Sequence, residues 1–517
     1  MTTKGIRRAT VAALAATLGL TGIAAASDLS TEDVVRTDKG LVRGVVDSQF
    51  REFQGIPFAA PPTGARRWQL PQPAEAWSGV RDATKVGAPC AQLDPTGENL
   101  LAGSSEDCLY LNVTTPRATD KPKPVMVWVH GGGWTSGTAN DYDGRRLSEA
   151  GDVVVVTVNY RLGTLGFFGH PDLPDSGTYG LADQQAALRW VGTNARSFGG
   201  DPGNVTLFGE SAGGLSTCAQ LASPGAAGLF QRAIIESGSC ETNWPANLQY
   251  PDATEQVWWW SRQQIAAAGK TEAAELGCGD LACLRDVDPL TVQKTTAAFG
   301  HAGYGTSLLP LDPRKALEYG TFNRVPVMEG NTRDEQAYFG WLFELNGKMD
   351  LPAYRQNLSK SFGDKATAVE QEYPASAYDS PIQAWNTVGS DRGWICPSLT
   401  TNRLMARRVP VYSFSFADRT APAYVTFPPG YQSDAYHSSE LPYLFDFRPL
   451  AQLNDAQTEL SKSMLRYWTN FARTGDPNGP GLPVWKPFRD GVTTQSFQLG
   501  GITRIDLDKQ HHCGFWS

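Results

Sequence analysis

The chain has 517 residues, of which 19% are charged and 41% are hydrophobic, a balance typical of a globular protein and not of a disordered one. Its formal net charge of −8 disfavours nucleic acid or an anionic surface as a partner. No proline- or serine-rich linker, charge block or internal repeat divides the sequence, so we expect one large, elaborated domain over residues 27–517.

The first 26 residues have the character of a secretory signal peptide. Lys4, Arg7 and Arg8 precede an apolar run too short for a lasting anchor, and small residues follow at Ala24 and Ala26. We expect cleavage after Ala26 and release outside the cell, with the Arg7-Arg8 pair leaving twin-arginine export open beside the general secretory route. Cleavage removes three positive charges, so the net charge falls from −8 to −11. No later segment is long and apolar enough to predict a membrane span.

Strand and helix signals alternate along the remainder of the chain. Helical spacing of apolar residues runs through 180–199, and the run VWWWS at 257–261 is also predicted to be helical, with its tryptophans packing in the core. Continuous apolar strands between helices predict a sheet that is buried on both faces, mostly parallel and flanked by helices. The predicted strands lie at 125–129, 153–158, 205–208, 233–235, 325–328 and 411–416.

One of these strands leads directly into VTLFGESAGG, residues 205–214. The glycines on either side of Ser211 would relieve collisions at a sharp turn from strand to helix and leave the serine hydroxyl exposed at the top of the sheet. A hydroxyl in that position suits a nucleophile. It needs a base within hydrogen-bond reach and a third group that orients the base.

The base is expected to be one of the six histidines. In the α/β fold with this turn, the serine comes first, then the acid and then the histidine, which favours His437 in DAYHSSELPYLF. The acid is expected in VPVMEGNTRDEQAYF, where Glu329, Asp334 and Glu335 are the alternatives. The remaining histidines lie upstream of the serine, in a glycine-rich segment or at the end of the chain: His130, His170, His301, His511 and His512.

Backbone donors for a developing oxyanion are predicted in HGGGW, residues 130–134, directly after a strand. Consecutive glycines allow backbone amides to converge on one oxygen without interference from side chains. The amide of Ala212, immediately after the nucleophile, would complete the set.

Six sequence blocks resemble one known family, the type-B carboxylesterases of the α/β-hydrolase fold. That family also contains cholinesterases, bile-salt lipases and inactive neuroligin-type adhesion proteins. The resemblance implies a mostly parallel central sheet with large helical insertions, in a secreted bacterial member. The blocks are FQGIPFAAPPTGARRW (53–68), SEDCLYLNV (105–113), PVMVWVHGGGWTSG (124–137), VNYRLGTLGFFG (158–169), ALRWVGTNARSFGGDPGNVTLFGESAGG (187–214) and YWTNFARTGDPN (467–478).

The resemblance also implies roles for individual residues. The catalytic acid falls on Glu335, with Asp334 as its neighbour, and the histidine falls on His437. The oxyanion amides fall on Gly132, Gly133 and Ala212. Three polar residues are implied to support the triad without reacting: Glu210, Ser237 and Glu440.

The eight cysteines are compatible with an oxidising compartment and show no CxxC pair typical of zinc. The terminal HHC is a weak metal candidate, and we expect neither a metal nor a cofactor. The resemblance implies three disulfides, joining Cys90 to Cys108, Cys278 to Cys283 and Cys396 to Cys513. It leaves Cys218 and Cys240 either paired or as buried thiols.

The segment between the first two cysteines, AQLDPTGENLLAGSSED, has no aromatic residue, whereas the cholinesterases hold a quaternary ammonium over a tryptophan there. We therefore expect a serine hydrolase of neutral small-to-medium esters, with Trp244, Tyr338 and Phe339 as pocket-lining or merely packed aromatics. Two alternatives remain: a lipase acting on longer acylglycerols, and a catalytically inactive binding protein on the same fold. The sequence does not predict an oligomeric state.

Overall fold

The structure is a computed structural model that describes residues 32–117, 121–447, 450–489 and 493–517. The predicted signal peptide, residues 1–26, lies outside the described residues. Within those ranges the chain has the predicted α/β architecture, with a large mixed sheet, mostly parallel, between layers of helices.

Eleven strands of the described chain form the main sheet. Six of its neighbouring pairs are parallel, and the antiparallel pairs lie toward its two ends. All six predicted strands are present in it. Across the sheet the order is Gly501–Asp506, Thr493–Gln498, Val411–Phe416, Val327–Thr332, Arg232–Glu236, Gly200–Glu210, Lys123–Val129, Val154–Val158, Tyr110–Pro116, Phe50–Pro57 and Val45–Val46.

Both faces of this sheet are buried beneath helices. Side chains of a strand point alternately to the two faces, so neighbouring residues enter different cores. In the strand Lys123–Val129, Val125 and Val127 join the core under the helix Ala212–Ala222, while Met126 and Trp128 join the core under the helix Asp455–Thr474. Every residue of this strand is buried, which explains its continuous apolar sequence.

The helices of the described chain lie mainly in the connections between strands. The predicted helical pattern at 180–199 is an α-helix over Tyr179–Asn194 followed by a 3₁₀ turn. The α-helices are Arg145–Gly151, Gly163–Phe167, Tyr179–Asn194, Ala212–Ala222, Arg262–Glu275, Leu281–Asp286, Pro289–Gln293, Pro313–Tyr319, Ala337–Gly340, Leu351–Phe362, Ala366–Glu372, Pro381–Ser390, Cys396–Ala406, Leu441–Leu444, Asp455–Thr474, Leu507–Gln510 and Cys513–Trp516, and Asp391–Ile395 is a π-helix.

The prediction of a helix over VWWWS was wrong. Residues Trp259–Ser261 form a short strand that pairs with Ala302–Tyr304, and the helix begins only at Arg262. Ser261 caps that helix, because its side chain accepts from the backbone of Gln264 while the Gln264 side chain accepts from the Ser261 backbone. Trp259 is buried in the core, as its packing role required.

All eight cysteines are paired. The structure contains the bonds Cys90–Cys108, Cys278–Cys283 and Cys396–Cys513, and it also pairs Cys218 with Cys240. In the described ranges no helix has the length and apolar character needed to cross a membrane.

Candidate active site

Ser211 sits at the junction of two elements, between the strand Gly200–Glu210 and the helix Ala212–Ala222. Its backbone has φ 56° and ψ −121°, a conformation that costs energy for a residue with a side chain. Such strain is common at functional sites, and here it allows the strand to pass into the helix with no intervening loop. The side chain of Ser211 remains partly exposed, although its neighbours on both sides are buried.

Gly209 and Gly213 explain why this turn needs small residues. A Cβ on Gly213 would lie 1.9 Å from the carbonyl oxygen of Val129, and a Cβ on Gly209 would lie 2.6 Å from the same oxygen and from the carbonyl carbon of Gly213. The strand, the helix and the neighbouring strand Lys123–Val129 therefore meet in backbone contact beneath Ser211. The predicted steric reason for the two glycines is thus present in the structure.

His437 and Glu335 form a buried hydrogen-bonded pair. The imidazole Nδ1 lies 2.6 Å from Glu335 Oε2, and Glu335 has no solvent exposure. The other carboxylate oxygen of Glu335 accepts from the Thr332 backbone at 2.9 Å and from the Asn331 amide at 3.3 Å. These bonds fix Glu335, which in turn directs Nδ1 of the ring and leaves Nε2 facing away from it.

Nε2 of His437 points toward the serine turn. It lies 3.2 Å from Oε1 of Glu210, the residue directly before Ser211. The imidazole thus lies between the carboxyl groups of Glu335 and Glu210, with the nucleophile candidate adjacent in sequence to the second.

The sheet topology brings these three residues together. Ser211 follows the strand Gly200–Glu210, Glu335 follows Val327–Thr332, and His437 comes after Val411–Phe416. These strands run in the same direction in one parallel region of the sheet, so their carboxyl ends meet at one edge.

The glycine loop after Lys123–Val129 lies next to this edge. Gly132 has φ 96° and Gly133 has φ 61°, values that favour glycine. A Cβ on Gly131 would lie 3.0 Å from Ser211 Cβ, which shows how closely the loop approaches the serine. In the described chain, the backbone amides of Gly132 and Gly133 donate to no protein acceptor, and that of Ala212 is in the first turn of a helix, where no intrahelical acceptor exists. Three donors are therefore available near Ser211.

Glu210 and Glu440, which were predicted to support the triad, form a buried carboxyl cluster with Glu236, a residue that the sequence did not indicate. Burial, followed by the charge of neighbouring carboxyls, raises the pKa of Glu210 and Glu440 well above the usual range of a glutamate. Burial also raises the pKa of Glu236 to about 8, although Trp468 Nε1 donates to its Oε1 at 2.8 Å. Ser237, with φ 50°, follows Glu236 and has a buried hydroxyl.

Aromatic rings surround the imidazole of His437. Trp394 is nearest, with ring centroids 4.4 Å apart, and Phe339 and Tyr338 lie at 5.7 and 5.9 Å. Trp244 packs on Trp394 at 4.7 Å. The three predicted aromatics therefore belong to one cluster with the histidine, and Trp394 is an addition. Its position depends on the π-helix Asp391–Ile395, a rare element that no spacing rule predicted.

The other histidines have separate local roles. His130 is buried, burial lowers its pKa to about 4, and its Nδ1 bonds the carbonyl of Gly131 at 2.9 Å. His511 lies 2.7 Å from Asp391, and His512 lies 2.6 Å from Glu372. Within the part of the chain that the structure describes, no group of three histidine, cysteine or acidic side chains is arranged to hold a metal ion.

Comparison with known proteins assigns this chain to a family. The family model described as the carboxylesterase family matches residues 31–516. The chain belongs to the carboxylesterase family. As a member it is a carboxylic ester hydrolase, and the resemblance read from its six sequence blocks is confirmed.

Individual relatives align with the carboxylesterase over most of both chains. The medium-chain fatty acyl-CoA hydrolase precursor of Anas platyrhynchos is 34% identical, with 93% of this chain and 91% of that protein covered. The para-nitrobenzyl esterase of Bacillus subtilis is 34% identical, with coverage of 93% and 97%. The cocaine esterase of Homo sapiens is also 34% identical, with coverage of 90% and 86%.

Proposed function

We propose that this carboxylesterase is a secreted serine hydrolase that cleaves neutral small-to-medium esters through Ser211, His437 and Glu335. The observation that carries the proposal is the pair of contacts made by His437, with Nδ1 2.6 Å from Glu335 and Nε2 turned toward the residue before Ser211. A base oriented on one side by a carboxylate, beside an exposed serine on a strained turn, is the arrangement that activates a hydroxyl.

In the acylation step, Ser211 Oγ attacks the ester carbonyl carbon while His437 Nε2 takes the hydroxyl proton. The carbonyl oxygen becomes an oxyanion, which the amides of Gly132, Gly133 and Ala212 stabilise. The carboxylate of Glu335 stabilises the imidazolium. The carbon–oxygen bond to the alcohol then breaks, and the alcohol leaves with the proton that His437 returns to it.

In the deacylation step, a water molecule replaces the alcohol. His437 takes a proton from this water as it attacks the acyl carbon, and the same three amides hold the second oxyanion. The bond to Ser211 Oγ breaks, the proton returns to the serine and the carboxylic acid leaves. No step requires a metal or a cofactor.

The preference for neutral esters is supported by the apolar surroundings of His437. The rings of Trp394 and Phe339 pack beside it and Trp244 packs on Trp394, whereas the segment from Cys90 to Cys108 supplies no aromatic ring for an ammonium group. That segment is also too polar to suggest the mobile apolar lid of a lipase.

Fluorophosphonate labelling tests the assignment of the nucleophile. The wild type, Ser211→Ala and Ser380→Ala are incubated with the probe, and the adduct is located by peptide mass. Ser380 is a matched control, because it also precedes a helix but makes no side-chain cap there. We expect an adduct on Ser211 in the wild type and in Ser380→Ala, and none in Ser211→Ala. A folded wild type without an adduct would favour the inactive binding protein.

A series of p-nitrophenyl esters of increasing acyl length tests the substrate class. We expect kcat/KM to be greatest for short and medium chains and to fall for long ones, and a choline ester to be hydrolysed poorly. A maximum at long chains, with higher activity on emulsified acylglycerols, would favour the lipase alternative.

Secretion and domain organisation complete the proposal. Four disulfides are compatible with an oxidising compartment outside the cytoplasm. Strands as far apart in sequence as Val45–Val46 and Gly501–Asp506 belong to one sheet, which supports a single domain over residues 27–517. N-terminal sequencing of the protein recovered from the culture medium would begin at Ser27 if the leader is removed as proposed.

A further inference from the structure

An ion pair lies directly beside the proposed catalytic acid. Arg419 donates two parallel hydrogen bonds to Asp334, from Nε to Oδ2 at 2.9 Å and from Nη2 to Oδ1 at 2.6 Å. Only 13% of the Asp334 side chain is exposed. Such a bidentate pair fixes the orientation of a carboxylate more firmly than a single contact does.

Asp334 also holds the segment that carries His437. Its backbone N–H donates to the carbonyl of Ala435 at 3.0 Å, and its Oδ2 accepts from the N–H of Ala435 at 3.3 Å. Both polar backbone groups of Ala435 are therefore bonded to one residue. Two residues further on, the N–H of His437 donates to the carbonyl of Glu335 at 3.3 Å. The loops that bear the acid and the base are joined at this point.

The Asp334–Arg419 pair borders a polar cavity of about 260 Å³. Asp379 and Asp434 line the same cavity, so carboxylates outnumber the guanidinium groups of Arg333 and Arg419 there. Burial, followed by the charge of Asp334, raises the pKa of Asp434 to about 6. At neutral pH Asp434 is still mostly ionised, and without the Arg419 side chain three carboxylates would face one guanidinium, that of Arg333, so the cavity can admit a small organic cation.

We propose that Asp334, held by Arg419, is a positioning residue that fixes the loop of His437 against that of Glu335. This inference rests on the proposed function, because it presupposes the catalytic roles of His437 and Glu335. Neither Asp334 nor Arg419 is assigned a contact with the substrate. A partly exposed ion pair contributes little to the free energy of unfolding. A small displacement of a catalytic base nevertheless slows the reaction strongly. The pair should therefore affect kcat more than it affects stability.

The test compares Arg419→Ala with Arg355→Ala. Arg355 makes a similarly short ion pair with Glu370, 2.7 Å from Nε to Oε1, on the helix Leu351–Phe362, which carries none of the proposed site residues. With p-nitrophenyl acetate as the probe, we expect Arg419→Ala to lose about tenfold in kcat with little change in KM, and Arg355→Ala to match the wild type. The Tm and the urea midpoint report whether each variant is folded.

Methylguanidinium at millimolar concentration should restore much of the kcat of Arg419→Ala, because it can enter the cavity and bind Asp334. It should not restore Asp334→Asn, which retains Arg419 and lacks the carboxylate. This rescue is a readout that a general loss of folding would not give.

The outcomes separate this inference from the proposed function. Absence of hydrolysis and labelling in the wild type would remove the proposed function itself. An active wild type, with Arg419→Ala as active as Arg355→Ala, overturns the positioning role alone. A loss of kcat that methylguanidinium does not reverse, or that parallels the loss of folded protein, overturns it as well.

Discussion

The Nδ1 atom of His437 lies 2.6 Å from Oε2 of Glu335, whose carboxylate is closed off from solvent. Because the second oxygen of Glu335 accepts from the backbone of Thr332, the carboxylate cannot turn freely. Glu335 therefore holds the ring in one tautomer, with the proton on Nδ1 and the lone pair on Nε2.

Glu335→Gln tests this relationship. An amide can present an N–H to Nδ1 and reverse the tautomer, so kcat should fall by roughly 10³- to 10⁴-fold, by analogy with the same change in a serine protease triad. Glu329→Gln is the matched control, because Glu329 is also buried and bonds Ser398 but does not contact His437. Steady-state kinetics with a p-nitrophenyl ester measure both variants. Equal activity in the two would assign the acid elsewhere.

The glycine loop provides a second prediction, because Gly132 and Gly133 differ in their surroundings. A Cβ on Gly132 would lie 2.2 Å from the carbonyl oxygen of Ser136, whereas a Cβ on Gly133 has Thr135 Oγ1, at 3.7 Å, as its nearest neighbour. Gly132→Ala must therefore displace the loop and should lower kcat about 10²-fold or more. Gly133→Ala should add only backbone strain of about 1–2 kcal/mol.

Gly64→Ala is the control for strain alone. Gly64 has φ 56° with nothing within 4 Å of a Cβ, and it is exposed far from the serine in sequence. We expect Gly64→Ala to lose as much stability as Gly133→Ala, and both variants to retain a kcat far above that of Gly132→Ala. Thermal denaturation and initial rates measure the two effects. A Gly132→Ala variant with wild-type kcat would show that this loop does not hold the oxyanion.

The sequence predicted those parts of the site that depend on local geometry and strand order. Glycines around Ser211 indicated the turn, and chain order favoured His437 because the fold places strand ends at one edge. It did not predict Trp394, whose ring reaches the histidine through a π-helix, or the Arg419–Asp334 pair, which joins positions 85 residues apart. Contacts of that range depend on tertiary packing, which spacing does not encode. The helix prediction for VWWWS was wrong for a related reason, because strand pairing with Ala302–Tyr304 overrides the local propensity of the segment.

Glu236 predicts a dependence of stability on pH. Burial raises its pKa to about 8, against 4.5 for an ordinary glutamate. Between these values the folded protein binds more protons than the unfolded chain, so the contribution of Glu236 to stability falls as pH rises through that window. Glu236→Gln keeps an acceptor for Trp468 Nε1 and removes the ionisation. Relative to the wild type, it should therefore gain stability with rising pH, by roughly 3–5 kcal/mol above pH 8.

Urea denaturation at a series of pH values from 4 to about 9 measures this difference. Glu75→Gln, on an exposed segment, is the control and should follow the wild type throughout. A constant difference between Glu236→Gln and the wild type at all pH values would mean that Glu236 is not protonated in the folded protein at neutral pH.

The disulfide Cys396–Cys513 provides the last prediction, because it links the end of the chain to the helix that follows the π-helix of Trp394. It spans 117 residues, whereas Cys278–Cys283 spans five. In the chain-entropy model, removal of the longer bond costs about 5 kcal/mol and removal of the shorter one about 2 kcal/mol. We therefore expect the Cys396→Ser, Cys513→Ser double variant to unfold at much lower urea than the Cys278→Ser, Cys283→Ser variant.

The two double variants should also differ in activity below their unfolding transitions. Loss of the Cys396 bond frees the segment that holds Trp394 against His437, so kcat should fall, whereas the Cys278 bond lies in a separate helical connection and its loss should leave kcat unchanged. Initial rates at low temperature, normalised to active sites titrated by fluorophosphonate, separate this effect from unfolding. Equal rates per active site in both variants would show that the C-terminal disulfide contributes stability alone.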